Sequence, residues 1–250
     1  MQTIGLLGGM SWESTIPYYR IINETVRAAL GGLHSARIVL HSVDFHDIER
    51  LQDAGDWIQA GGVLADAARS IEAAGADFLV ICTNTMHKVA PAIARAVAMP
   101  LLHIADPTAA AIAKAGLSSI GLLGTRFTME QNFYRDRLAR NGIDAIVPDD
   151  DERAFVHRVI YDELCRGIVR DDSRARYRSI IERLVARGAQ GIVLGCTEIA
   201  MLVGAGDAAV PVYDTTLLHA QAAAVRALSG EPHAFASTDD LQRPRAILGA

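Results

Sequence analysis

Lysine is scarce in this 250-residue chain: Lys88 and Lys114 are the only two among 24 basic residues. An enzyme that uses pyridoxal phosphate needs a lysine for the Schiff base and a partner for the ring. Neither lysine has such a setting, so cofactor-free chemistry is expected. Cysteine is limited to Cys82, Cys165 and Cys196. A small odd number without metal-ligand spacing excludes a disulfide framework and a zinc site, and fits free thiols in a reducing compartment, the cytoplasm. His41, His46, His87 and His103 form no His-x-x-x-His or His-Glu-x-x-His pattern; His87, four residues beyond Thr83, is the one worth testing. Net charge is −5 with no basic run, so the electrostatic footprint for nucleic acid or an anionic membrane is missing. No apolar run reaches membrane-spanning length. Residues 1–4 carry neither the basic segment nor the cleavage pattern of a secretory signal. A small-molecule partner is what remains. Oligomeric state is left open, a homodimer included.

Against these absences stands a repetition. Residues 75–85 read GADFLVICTNT and residues 188–198 read GAQGIVLGCTE, an offset of 113 that sets Thr83 opposite Cys196, Cys82 opposite Gly195 and Asn84 opposite Thr197. Gly5-Leu6-Leu7-Gly8-Gly9 and Gly121-Leu122-Leu123-Gly124-Thr125 repeat in the same order at an offset of 116. The period is far too long for a solenoid, so the chain reads as two αβ lobes from a duplicated ancestor, with one reactive group on each wall of a cleft.

Apolar runs at 4–7, 38–43, 78–81, 101–104, 120–123, 145–147, 192–194 and 210–213 alternate with stretches of helical period. That alternation predicts an α/β fold of two pseudo-symmetric lobes, each a mostly parallel sheet flanked by helices, with the active site between them. Helices are predicted from Ser11, as N-cap, to Leu30 and near 56–74, 87–97, 107–115, 128–141, 151–166, 171–187 and 215–228. The predicted first lobe is 1–105 plus 211–230, the second is 106–210, and 231–250 is a loosely held tail.

Cys196 is the strongest candidate for chemistry. It follows a buried strand and precedes Ile199, where a helix could begin, and a helix N-terminus lowers a thiol pKa; the bland alternative is a small core cysteine. For the first lobe the repeat selects Thr83, while strand alternation sends Cys82 to the other face; a hydroxyl that merely ties down a loop stays equally open. Glu198 could accept from a substrate ammonium, organise the opposite wall, or complement a helix dipole. Asn84, Thr85 and Thr197 could bind a carboxylate with local N–H groups, or serve as N-caps. Gly8-Gly9-Met10-Ser11 lets the backbone approach a small anion, with Gly124-Thr125-Arg126 as its counterpart; it lacks the nucleotide-binding glycine patterns. Trp12, Trp57, Tyr18 and Tyr19 are expected to be packing residues.

Asn84-Thr85 and Gly195-Cys196-Thr197-Glu198 together resemble the aspartate/glutamate racemase family over the whole chain up to the tail, and residues 8–15, GGMSWEST, look most like its L-aspartate/glutamate-specific branch. The resemblance implies a cofactor-independent racemase with its site between two αβ lobes. It also implies Cys196 as one acid/base, Thr83 as the altered counterpart of a usual cysteine, and Met10 and Gln52 bordering the substrate. Relatives that act on aspartate carry a lysine in the stretch that reads Glu163-Leu164-Cys165-Arg166-Gly167 here, and Cys165 is assigned that slot. Family analogy gives the second-lobe cysteine to the L form, so kinetics skewed toward L-aspartate or L-glutamate are expected. Arg50, Arg126 and Lys88 are equal candidates for a distal carboxylate. The alternatives are a thiol-dependent decarboxylase or isomerase of a dicarboxylic acid and a non-catalytic amino-acid binding protein.

Overall fold

The computed structural model describes residues 1–229; the expected tail, 231–250, and Gly230 lie outside the described residues. The first half runs β1 (Thr3–Gly8), α1 (Trp12–Leu30), β2 (Arg37–Ser42), α2 (Phe45–Asp53), α3 (Trp57–Ala73), β3 (Phe78–Ile81), a 3-10 turn (Thr85–Val89), α4 (Ala90–Ala96) and β4 (Leu101–Leu102). The second runs α5 (Ala105–Lys114), β5 (Ser119–Gly124), α6 (Arg126–Glu130), α7 (Asn132–Ala139), β6 (Asp144–Ile146), α8 (Asp150–Asp162), a 3-10 turn (Leu164–Arg166), α9 (Asp171–Ala186) and β7 (Ile192–Gly195). Two short 3-10 turns then lead to β8 (Val212–Asp214) and α10 (Thr215–Leu228).

Two four-stranded parallel sheets result, ordered β2-β1-β3-β4 and β6-β5-β7-β8. The central strands β3 and β7 are apolar and buried at every position, as strands covered by helices on both faces must be. Aspartates set several helix starts: Asp44, Asp56, Asp149 and Asp214 each accept from first-turn N–H groups of the helix that follows, satisfying donors that have no partner inside the helix.

Each sheet has a core on either face. In the first lobe α3 and α4 cover one side, with Leu64, Ile71, Leu79 and Ile93; α1 and α10 cover the other, with Tyr18, Ile22, Val80 and Ala224. In the second, Val156, Tyr177, Ile180 and Leu194 lie on one side and Ile112, Leu122, Tyr134 and Val193 on the other.

Two expectations shift. β8 pairs with β7, so the segment expected to rejoin the first lobe at 211 stays in the second sheet through Asp214, and α10 makes the return by packing along α1. α2 was not expected. Its apolar positions Phe45, Ile48 and Leu51, three apart behind the Asp44 cap, carry the helical period that marks it.

Candidate functional site

In an open parallel sheet the crevice lies beyond the carboxyl ends of the strands where the strand order reverses. Here that point falls between β1 and β3 in one lobe and between β5 and β7 in the other. The loops that begin there are Gly9–Ser11 and Cys82–Asn84, facing Thr125 and Cys196–Glu198. Strand register fixes their equivalence: Leu7 pairs with Ile81 and Leu123 with Leu194. Two residues beyond Ile81 is Thr83 and two beyond Leu194 is Cys196, so both occupy the same place in their lobes.

Cys82 and Thr83 part company as the strand ends. Cys82 is fully buried among Tyr18, Ile22 and Ala220, and burial holds its thiol far above the ordinary range. Thr83 and Cys196 are each 7% exposed. The Thr83 N–H turns back to the Ile81 carbonyl at 2.9 Å. Its own carbonyl accepts from His87 Nδ1 at 2.7 Å, and His87 Nε2 accepts from the Ile104 N–H at 3.1 Å. That pattern fixes the tautomer. His87 is therefore a neutral strut, its pKa driven well down by burial and then by His103, and it holds the Thr83 backbone instead of serving its hydroxyl.

On the other wall the Glu198 carboxylate, 2% exposed, gathers four donors. Cys196 Sγ lies 2.9 Å and Thr197 Oγ1 2.8 Å from Oε2, while Ser11 Oγ lies 2.8 Å and Ser11 N 3.3 Å from Oε1. Burial, then the Glu198 charge, push the Cys196 pKa well above its ordinary value. This corrects the expected lowering by a helix terminus: the helical segment after Glu198 is the three-residue turn Ile199–Met201, too short for an appreciable dipole. At rest Cys196 is a thiol that donates to a carboxylate.

The glycine loop is corrected as well. A Cβ on Gly9, at φ +89°, would sit 2.2 Å from the Val43 carbonyl, and one on Gly8 2.5 Å from Thr15 Cγ2. The glycines are there for close packing, and two of the loop's donors are used inside the protein: Gly9 N–H on Thr15 Oγ1 at 2.9 Å and Ser11 N–H on Glu198. Ser11 stands at the N-cap position but makes no side-chain cap bond, because its hydroxyl crosses the cleft.

Other bonds cross beside it. Thr85 Oγ1 meets Thr125 Oγ1 at 2.9 Å. Asn84 Nδ2 donates to Thr215 Oγ1 at 3.0 Å, which donates to the Leu194 carbonyl at 2.8 Å. Asn84 makes no cap bond, and its Oδ1 is buried without a protein partner. Tyr161 OH donates to Gln52 Oε1 at 2.7 Å, while Gln52 Nε2 reaches Met86 Sδ at 2.9 Å. Met10, 2% exposed, belongs to the same first-lobe core as Met86. Cys165, half-buried, packs against the core that contains Cys196 and feels the charges of Glu198 and Glu13. The sequence singles out neither Tyr161 nor Thr215, and Ser11 only as an N-cap and part of the glycine loop, since each takes part through a contact more than 100 positions away.

Some candidates lie elsewhere. Lys88 Nζ sits 3.7 Å over the Trp57 ring centroid, and Arg50 is exposed on α2. Arg126 lines a cavity at the cleft mouth together with Gln52 and Tyr161. Tyr18 is fully buried and Trp57 packs edge-on against Phe127 of the other lobe at 5.0 Å. Trp12 and Tyr19, expected to pack, are 60% and 55% exposed on α1. Among the described residues no group of three or more His, Cys, Asp or Glu could hold a metal, and no helix is long and apolar enough to cross a membrane.

Residues 7–223 match the family model described as Asp/Glu/hydantoin racemase. A candidate Asp/Glu racemase from Yersinia pestis is 60% identical, with a TM-score of 0.85 over 91% of this chain and 100% of that one. An aspartate racemase homologue from Pyrococcus horikoshii is 31% identical, with a TM-score of 0.78 over 91% of this chain and 99% of that one. A broad-specificity amino-acid racemase from Bacillus subtilis is 24% identical, covering 85% of this chain and 92% of its own.

Proposed function

The chain belongs to the Asp/Glu/hydantoin racemase family, and from that premise we propose that it racemises a small acidic amino acid, aspartate or glutamate, at Cα without pyridoxal phosphate. The observation that carries the reading is the buried thiol of Cys196 bonded to the Glu198 carboxylate at 2.9 Å, at the place in its lobe that Thr83 occupies in the other.

A Cα proton is far less acidic than a thiol, so the base must be held against it in a dry site lined with donors. Cys196 passes its proton to Glu198 as substrate binds, and the thiolate then removes the Cα proton of the L form. Asn84 Oδ1, the acceptor left unpaired, receives the substrate ammonium; the Thr85 and Thr197 hydroxyls turn to the α-carboxylate. Arg126, at the mouth, is the choice among the three cations for the distal carboxylate. Thr83 delivers a proton to the opposite face from its hydroxyl, a much weaker acid than a thiol; its alkoxide takes a proton back from water, and the hydroxide so formed takes the proton that Glu198 holds. Held at both oxygens, Glu198 organises this wall instead of binding the ammonium.

The equilibrium constant between free enantiomers is one, so kcat/KM for net inversion is equal in both directions. Asymmetry between the walls therefore shows as exchange with retention: L substrate trades its Cα hydrogen with solvent faster than it inverts. The test is Cα exchange in deuterated buffer, followed by NMR and chiral chromatography for each enantiomer of aspartate, glutamate and a panel of other amino acids and dicarboxylic acids. Exchange of L-aspartate or L-glutamate outrunning inversion is expected. Turnover confined to acids without an amino group would establish the decarboxylase or isomerase reading, and tight binding without exchange would establish a binding protein.

A further inference from the structure

Cys196 and Thr83, at 7% exposure each, are almost closed off in the resting molecule, so a substrate gains room when a contact between the lobes opens. One of the contacts that cross the cleft faces an outer cavity. Tyr161, near the end of α8 in the second lobe, bonds Gln52 of α2 in the first and lays its ring near Phe45, also of α2, with centroids 6.3 Å apart and planes 20° from parallel. Inward, Tyr161 packs against the core cluster that contains Cys196. Outward, Tyr161 and Gln52 form part of the wall of a cavity of about 230 Å³. Its remaining lining includes the cations Arg126 and Arg158 and the acids Glu49, Asp53 and Asp162, with His157 beside them. Mixed charge of this kind suits a zwitterion, whose ammonium and carboxylates each find a partner while the whole carries little net charge.

We propose that Tyr161 is the gate between this vestibule and the reactive thiol: its bond to Gln52 and its ring against Phe45 close the cleft, and an amino acid gathered in the vestibule passes when that bridge parts. The bridge is built to part at small cost. A single neutral hydrogen bond holds the Tyr161 hydroxyl across the cleft. The other half of the Gln52 amide rests on a thioether, a weak acceptor, and gains by turning to a substrate carboxylate. Gln52 thus belongs to the closed gate before substrate arrives and to the bound complex afterwards, with Tyr161 as its positioning residue. The proposal rests on the cleft being the substrate site, and its test does not require turnover.

Alkylation of the full-length protein by iodoacetamide, resolved by mass spectrometry for each cysteine, reads the gate directly. Cys196 reports opening at the mouth, and Cys82, sealed in the first-lobe core, reports global unfolding. Tyr161→Phe, which keeps the ring and removes the bond, should raise Cys196 labelling about fivefold, the factor one ordinary hydrogen bond carries, with Cys82 labelling unchanged. Gln52→Leu should do the same, and the double variant should gain nothing further, because both remove one bond. Tyr161→Ala should exceed either. Saturating L-aspartate should suppress Cys196 labelling in every variant while KM rises more than kcat falls. Unchanged Cys196 labelling in all of these variants, or a parallel rise at Cys82, overturns the gate; failure of L-aspartate to protect a thiol that the variants do expose overturns the choice of substrate and leaves the gate standing.

Discussion

The two strand ends that meet in the cleft share one backbone path and use it differently. After β7 the chain presents Cys196, Thr197 and Glu198, and two hydroxyls, a thiol and an N–H close on one carboxylate. After β3 it presents Thr83, Asn84 and Thr85 with no carboxylate among them; the Thr83 peptide is pinned by Ile81 and His87 while no bond restrains its hydroxyl in the same way. One wall gathers its side chains on a carboxylate, and on the other the backbone is what is held. The two sheets share one strand order, and the side chains at four positions break the symmetry.

The comparison breaks most sharply if the wired wall loses its sulfur. Cys196→Ser should reduce Cα exchange of the L form by about 10²–10⁴, the usual worth of a positioned acid/base, with the circular dichroism spectrum and melting curve retained. Restoring the symmetry comes next: Thr83→Cys should raise Cα exchange of the D form about tenfold or more, because a thiolate forms far more readily than an alkoxide. Equal D exchange in Thr83→Cys and wild type would mean the first wall acts through another group. Glu198→Gln tests the wiring. The neighbouring carboxylate raises the Cys196 pKa, so without it the thiol should ionise more readily. The rising limb of the pH–rate profile should move toward lower pH, even as the maximum rate falls with the loss of the proton acceptor. The smallest effect on chemistry belongs to Cys82→Ala. It should leave exchange within about twofold and lower stability by about 1–2 kcal/mol in urea melts, as expected for removal of a small buried side chain. Loss of exchange in that variant would transfer the first-wall role from Thr83 to Cys82.

Much of this was legible in the chain because the repeat is so regular. The strand 78–81 falls where its apolar run lies, and the other strands and most long helices fall within a few residues of expectation, since buried parallel strands and amphipathic helices write themselves into consecutive positions; the helix expected at 128–141 divides at Gln131 into α6 and α7. The equivalence of Thr83 and Cys196 was legible for the same reason, and strand pairing places them alike. What escaped were relations between distant positions. Nothing near Ser11 distinguishes an N-cap hydroxyl from one that reaches Glu198, and nothing near Tyr161 points to Gln52. The thiol's environment was misjudged because the segment beyond Glu198 looked helical, and a single 3-10 turn is too brief to set a dipole against a buried carboxylate. Trp12 and Tyr19 were taken for packing on residue type alone, and their exposure follows from facing outward on α1.

The path of α10 has a consequence of its own. The backbone passes from one sheet to the other after β4 and returns after β8, so two covalent threads join the halves and α10 lies along α1 as a splint. Thr215, its first residue, is also the link between Asn84 and the β7 carbonyl. A pair of threads permits the halves to rock like the covers of a book and resists twisting one against the other. Two threads at one edge would keep sulfur and hydroxyl in line if the halves rock, and the halves cannot be produced apart without stripping the first of a wall of its core.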